Sequence, residues 1–150
     1  MLRRWVLRIL IAVLAVVGLT ILYMNMSAEQ SVIRLHGHRY STQIMQTPEE
    51  LQQGLSGTKS LPQGNAMLFV FPSDDKWGIW MKDMNYPIDI VWLDNKRLVV
   101  YMVKNAKPSS YPDTTFRPDK NTRYVIELPS GTIEQTDIQI GDPAGLPSGV

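Results

Sequence analysis

Residues 88–103 read IDIVWLDNKRLVVYMV. Two apolar runs rich in β-branched and aromatic residues flank Asp94, Asn95 and Lys96, which is the pattern of a β-hairpin. A hairpin alone is at best marginal in water, so more strands must join it. The first run, Ile88 to Leu93, is interrupted only by Asp89. A strand so continuously apolar needs both faces covered. Ile88, Ile90 and Trp92 share one face, and Asp89, Val91 and Leu93 share the other. A carboxylate among aliphatic residues is expensive unless it is paired, hydrogen-bonded or protonated.

The surrounding sequence supplies the partners. SVIRLHGHRYSTQIM (31–45) predicts two short strands around the turn at Gly37. TPEELQQGL predicts a short helix: Thr47 is an N-cap, Pro48 suits the first turn, Glu50 completes a capping box and Gly54 ends it. A helix that short must pack on the sheet, through Leu51 and Leu55. AMLFVF (66–71) and GIWMK (78–82) predict strands, separated by PSDDKW. Residues 104–121 hold three prolines and little apolar periodicity, which predicts a long loop. TRYVIELPSG returns to a strand, TIEQTDIQIGD gives a turn of helix and a last strand, and PAGLPSGV (143–150) is expected to be a disordered tail. The expected fold is mostly β, a small closed or barrel-like antiparallel sheet with one or two short helices.

The N-terminus is of another kind. From Trp5 to Met24 the chain is apolar apart from Arg8, Thr20 and a few small residues, about 20 residues in all, the length of a helix that spans the ~30 Å hydrocarbon core. Arg3 and Arg4 precede it, Arg8 lies near its start and no acid occurs before Glu29, so the N-terminus should stay in the cytoplasm. Residues 1–25 therefore read as a transmembrane signal anchor, 26–31 as a linker and 32–142 as the β domain. The cleaved alternative needs small residues before the cut, and Met26 is out of place for cleavage after Ala28. The expected location is the cell membrane, single-pass, with the C-terminal domain extracytoplasmic, or secreted if the segment is cleaved. No cysteine is present, which excludes disulfides, thiolate metal sites and a lipidated cysteine. Beyond the anchor, 12 basic residues face 14 acidic ones, a net of about −2, and no basic stripe suggests nucleic acid.

Several segments occur in a characteristic order: Gly54–Leu55, AMLFVF, WMKDM, YPIDIVWLD, VIELPSG and Gly141–Asp142. In these, over Val32 to Asp142, the chain resembles the domain-of-unknown-function 192 family of bacterial and archaeal proteins. Ser56 stands where the family usually has methionine, Asp83–Met84 where it has Asn-Thr, and Ala66 where it has glycine. The resemblance implies a small β-barrel-like fold with an export signal or anchor, and no particular reaction.

Three of the four tryptophans fall within residues 77–94. Trp80 and Lys82 are expected on one strand face, with Asp89, Trp92 and Glu127 as further candidates for a ligand cleft. An aromatic plate beside charged groups suits a sugar or another small polar ligand. Each has a structural reading as well. The tryptophans can be core, Asp89 can clamp backbone N–H groups, and Glu127 can pair with Arg123 along its strand. Met67, Met81, Met84, His36 and His38 could hold Cu(I), but methionine also fills irregular cores, and no metal or cofactor is expected. No nucleophile elbow, phosphate loop or His-Glu-x-x-His motif is present. The leading expectation is a non-catalytic binding module for an envelope glycan. The alternatives are a protein-interaction scaffold of the envelope, and a small hydrolase using two carboxylates.

Overall fold

The computed structural model describes residues 13–14 and 31–150. The anchor expected over residues 5–24 lies outside the described residues, apart from Val13 and Leu14, which are helical. No helix among the described residues is long and apolar enough to cross a membrane.

Residues 31–150 form one compact unit. Strands β1 (Ser31–Leu35) and β2 (His38–Met45) make the first hairpin, turning through His36 and Gly37, both at positive φ. Helix α1 (Pro48–Gln53) follows, with the expected capping box between Thr47 and Glu50. Strand β3 (Asn65–Asp75) returns parallel to β2, and α1 serves as the crossover such a pairing requires. Then come β4 (Ile79–Trp80), β5 (Ile88–Leu93), β6 (Val99–Ala106), β7 (Thr115–Phe116) and β8 (Thr122–Pro129). Helix α2 (Thr132–Thr136) and β9 (Ala144–Gly145) complete the domain.

Seven strands form a mostly antiparallel, curled sheet in the order β6-β5-β8-β3-β2-β1-β9, and β4 pairs separately with β7. The sheet's two edges meet at one corner. There Leu98 bridges Pro143, and the Val99 N–H donates to the Asp142 carbonyl at 2.9 Å. The result is a half-barrel joined at one end. Residues 143–150, expected to be a disordered tail, take part in this junction. Ala144 is buried, β9 pairs with β1, and Arg97 Nη2 donates to the Val150 carbonyl at 2.6 Å. The 104–121 stretch is also less irregular than its prolines suggest. Its first residues extend β6, and β7 within it pairs with β4.

Both sheet faces are covered, which is why β5 is buried at every position. On the inner face Ile33, Leu35, Leu68, Val91, Leu93, Ile126 and Leu128 pack with Ile133 of α2. On the outer face Met67, Phe69, Phe71, Ile90, Trp92 and Val125 pack under Leu55, Ile79 and Met81. Half-buried Leu51 of α1 joins them. Gly54 ends α1 at φ +47, and a Cβ there would lie 3.0 Å from Phe69 Cζ, so the helix end presses directly onto the outer core.

Candidate functional site

Between α1 and the turn after β4 lies a groove of about 410 Å³, lined by Glu49, Gln52, Gln53, Ser56, Gly57, Trp80, Lys82 and Asp83. Strand alternation explains the exposed tryptophan. Ile79 points into the outer core, so Trp80, its neighbour on the two-residue β4, points out and is 46% exposed. Lys82 lies past the strand in the following turn, and the same groove receives it.

The groove walls are tied together. The Ser56 hydroxyl donates to the Lys82 carbonyl and the Gly57 N–H to the Asp83 carbonyl, both at 2.8 Å. Asn85 Nδ2 donates to the Thr58 carbonyl at 2.8 Å, and the Thr58 and Tyr86 hydroxyls are 2.6 Å apart. Asp83 sits at φ +56, a left-handed conformation that Asp and Asn tolerate better than other side chains. The Asp for Asn replacement therefore preserves the turn.

Below the groove, and sharing Gln52, Gln53, Ser56 and Trp80 with it, a narrower throat of about 110 Å³ enters the outer core. Phe69, Phe71, Ile79, Leu55 and Met84 are among its walls, and Glu127 of β8 also lines it. Glu127 is 4% exposed, and its Oε2 has no hydrogen-bond partner among the described residues. Met67 and Ile90 lie opposite it on the neighbouring strands. Burial pushes its carboxyl up to about 8, so it is a neutral acid at pH 7.

Arg123 does not neutralise it. Along a strand, residues four apart are separated by about 13 Å, at ~3.3 Å per residue. Arg123 instead reaches Asp74, Nε to Oδ1 2.6 Å, and donates to the Pro72 carbonyl at 3.0 Å. That guanidinium holds the Asp74 carboxyl below its ordinary value.

Of the five residues expected to share a cleft, the structure brings Trp80, Lys82 and Glu127 to this site and leaves two outside it. Trp92 is 0% exposed; its ring tilts against Tyr101 at 5.1 Å and its indole N–H donates to the Trp77 carbonyl at 2.8 Å. Asp89 is also fully buried. Its Oδ1 accepts from the Asn105 N–H and its Oδ2 from the Ile133 N–H, both at 2.8 Å. The β5–β6 register shifts between Ile88 and Ile90, and the carboxylate takes up an N–H at this irregularity while holding the first turn of α2. Asp89 and Glu127 lie on opposite sheet faces, so they make no carboxylate pair across a bond. Among the described residues no group of three or more His, Cys, Asp or Glu is placed to hold a metal. Gln52 and Gln53, which sequence reasoning did not assign to a site, line both the groove and the throat, and Met84, weighed there as a Cu(I) ligand, lines the throat.

This fold, a curled seven-stranded sheet with a helix-roofed groove on its outer face, defines a class of small β domains. The DUF192 family model, described as an uncharacterized ACR, matches residues 31–145, and the chain belongs to that family. UPF0127 proteins of Thermococcus sibiricus and Thermococcus gammatolerans are similar to it. The first is 34% identical over 79 residues, covering 51% of this chain and 48% of its own. The second is 35% identical over 80 residues, covering 52% and 49%. The chain thus spans about half the length of these relatives. Among solved structures, a protein of unknown function from Novosphingobium aromaticivorans is similar with a TM-score of 0.69 at 26% identity, over 77% of this chain and 81% of that one. A putative transcription regulator from Sinorhizobium meliloti gives 0.72 at 23% identity, over 77% and 92%, and shares the fold alone.

Proposed function

We propose that the domain is a non-catalytic binding module for a glycan of the cell envelope, held outside the cytoplasm by a membrane anchor over residues 5–24. The observation that carries the ligand reading is Trp80, an exposed indole set in a pre-tied groove beside the amides of Gln52 and Gln53 and the ammonium of Lys82. A sugar ring offers an apolar C–H face to the indole and hydroxyls to the amides and charges. An indole that serves only the core would be covered, as that of Trp92 is. The anchor reading is supported by the apolar length of residues 5–24 and the arginines before it.

Titrating the full chain in detergent micelles with oligosaccharides of envelope polysaccharides, followed by tryptophan fluorescence, tests the site. Saturable quenching that Trp80→Ala removes while the circular dichroism is unchanged is the expected result. Quenching that survives Trp80→Ala places the ligand elsewhere. Carbonate extraction of membranes tests the anchor: the chain should stay in the pellet, and its release would remove the membrane from this reading.

A further inference from the structure

A buried carboxyl oxygen without a partner is costly, and Met67 and Ile90 flank Glu127 on the neighbouring strands. Glu127 lies in the throat among Phe69, Phe71, Ile79, Leu55 and Met84. As the neutral acid that burial favours, it offers one O–H donor, and none of the described residues accepts it at Oε2. The throat and the groove share Gln52, Gln53, Ser56 and Trp80 as walls. The throat's volume of about 110 Å³ is several times what a single water needs.

We infer that the throat takes the acetamido group of an N-acetylated hexosamine, with Glu127 donating to the acetyl carbonyl and the apolar walls packing the methyl group, while the sugar ring stacks on Trp80. The proposal rests on the glycan reading of the groove and names its ligand. Acetamido has one strong acceptor and one apolar end, which is what the carboxyl and the apolar walls of this throat can satisfy. A bare hydroxyl is too small to fill it. The ammonium of a de-N-acetylated sugar would have to leave water for apolar walls. The bond to Glu127 is formed away from solvent, where an unmade hydrogen bond is most costly, so the group discriminates as well as binds.

The test compares three oligosaccharides of one length on the full chain in detergent: β-1,4-linked N-acetylglucosamine, glucosamine and glucose tetramers. The N-acetylated tetramer should bind at least tenfold more tightly than either other. Glu127→Leu should remove at least tenfold of that affinity, and Glu127→Gln, which keeps a neutral donor, should stay within about threefold of the parent. Equal affinity for all three tetramers, each abolished by Trp80→Ala, would overturn the acetamido assignment and leave the glycan reading standing. Tighter binding of the glucosamine tetramer would also overturn it, in favour of an ion pair. No binding of any glycan by the folded chain would defeat both readings.

Discussion

Replacing Glu127 by Gln should change how stability depends on pH, and by a large amount. The carboxyl titrates near 4.5 when the chain is unfolded and near 8 in the folded domain, where it lies buried. Below pH 4.5 both states hold the proton, and stability is indifferent to pH through this group. Between 4.5 and 8 the unfolded chain ionises and the folded one does not, so stability falls as pH rises, by up to ~1.4 kcal/mol per pH unit. At pH 7 the loss is about 3 kcal/mol, and above pH 8 it levels off near ~5 kcal/mol. Glutamine has the same shape and no titration. The stability difference, Glu127→Gln minus parent, should therefore be flat below pH 4.5, grow by about 3 kcal/mol to pH 7 and stop growing above 8. Urea unfolding of both chains in detergent from pH 4 to 9, followed by fluorescence, measures it. Glu50 and Asp74, whose carboxyls are held below their ordinary values, contribute with the opposite sign, losing stability as pH falls. They are present in both chains and cancel in the difference. A difference constant to within ~0.5 kcal/mol across the range would mean that Glu127 ionises like a solvated acid, and would refute its burial as a neutral acid.

Other substitutions separate core from site. Asp89→Ala leaves the Asn105 and Ile133 N–H groups without their acceptor and should cost about 3 kcal/mol in urea unfolding. Trp92→Phe removes the bond to the Trp77 carbonyl and part of the outer core, and should cost about 2 kcal/mol. Trp80→Ala, at an exposed position, should stay within about 0.5 kcal/mol of the parent. Thr47→Ala removes one half of the capping box and should cost about 1 kcal/mol, read in the same unfolding series.

Much of the fold is legible in local pattern. Thr47, Pro48, Glu50 and Gly54 specify the ends of α1, and the run of β5, apolar but for Asp89, demands cover on both faces, which the two core clusters supply. The clamp role of Asp89 also follows from pattern, because a carboxylate there had to find donors. What finds them is not local: Asn105 and Ile133 are 16 and 44 residues away. The edge junction at Leu98 and Pro143 depends likewise on the curl of the whole sheet, and a Pro/Gly/Ser-rich stretch carries no sign of it. Glu127 shows the same gap. Its strand neighbour Arg123 looks like a partner in sequence, but strand rise keeps them apart and Asp74, brought near by the irregular end of β3, takes the guanidinium. Trp80 and Trp92 are indistinguishable by residue type. Only pairing decides that one is covered and the other faces the groove.

The central claim, that ligand binds beside Trp80, is tested most directly by fluorine NMR. The full chain, labelled with 5-fluorotryptophan, gives four resonances, from Trp5, Trp77, Trp80 and Trp92. Trp80→Phe assigns its own signal. Saturating N-acetylglucosamine tetramer should shift the Trp80 resonance most and leave that of buried Trp92 in place. A Trp80 resonance that does not move while ligand is bound would contradict the account.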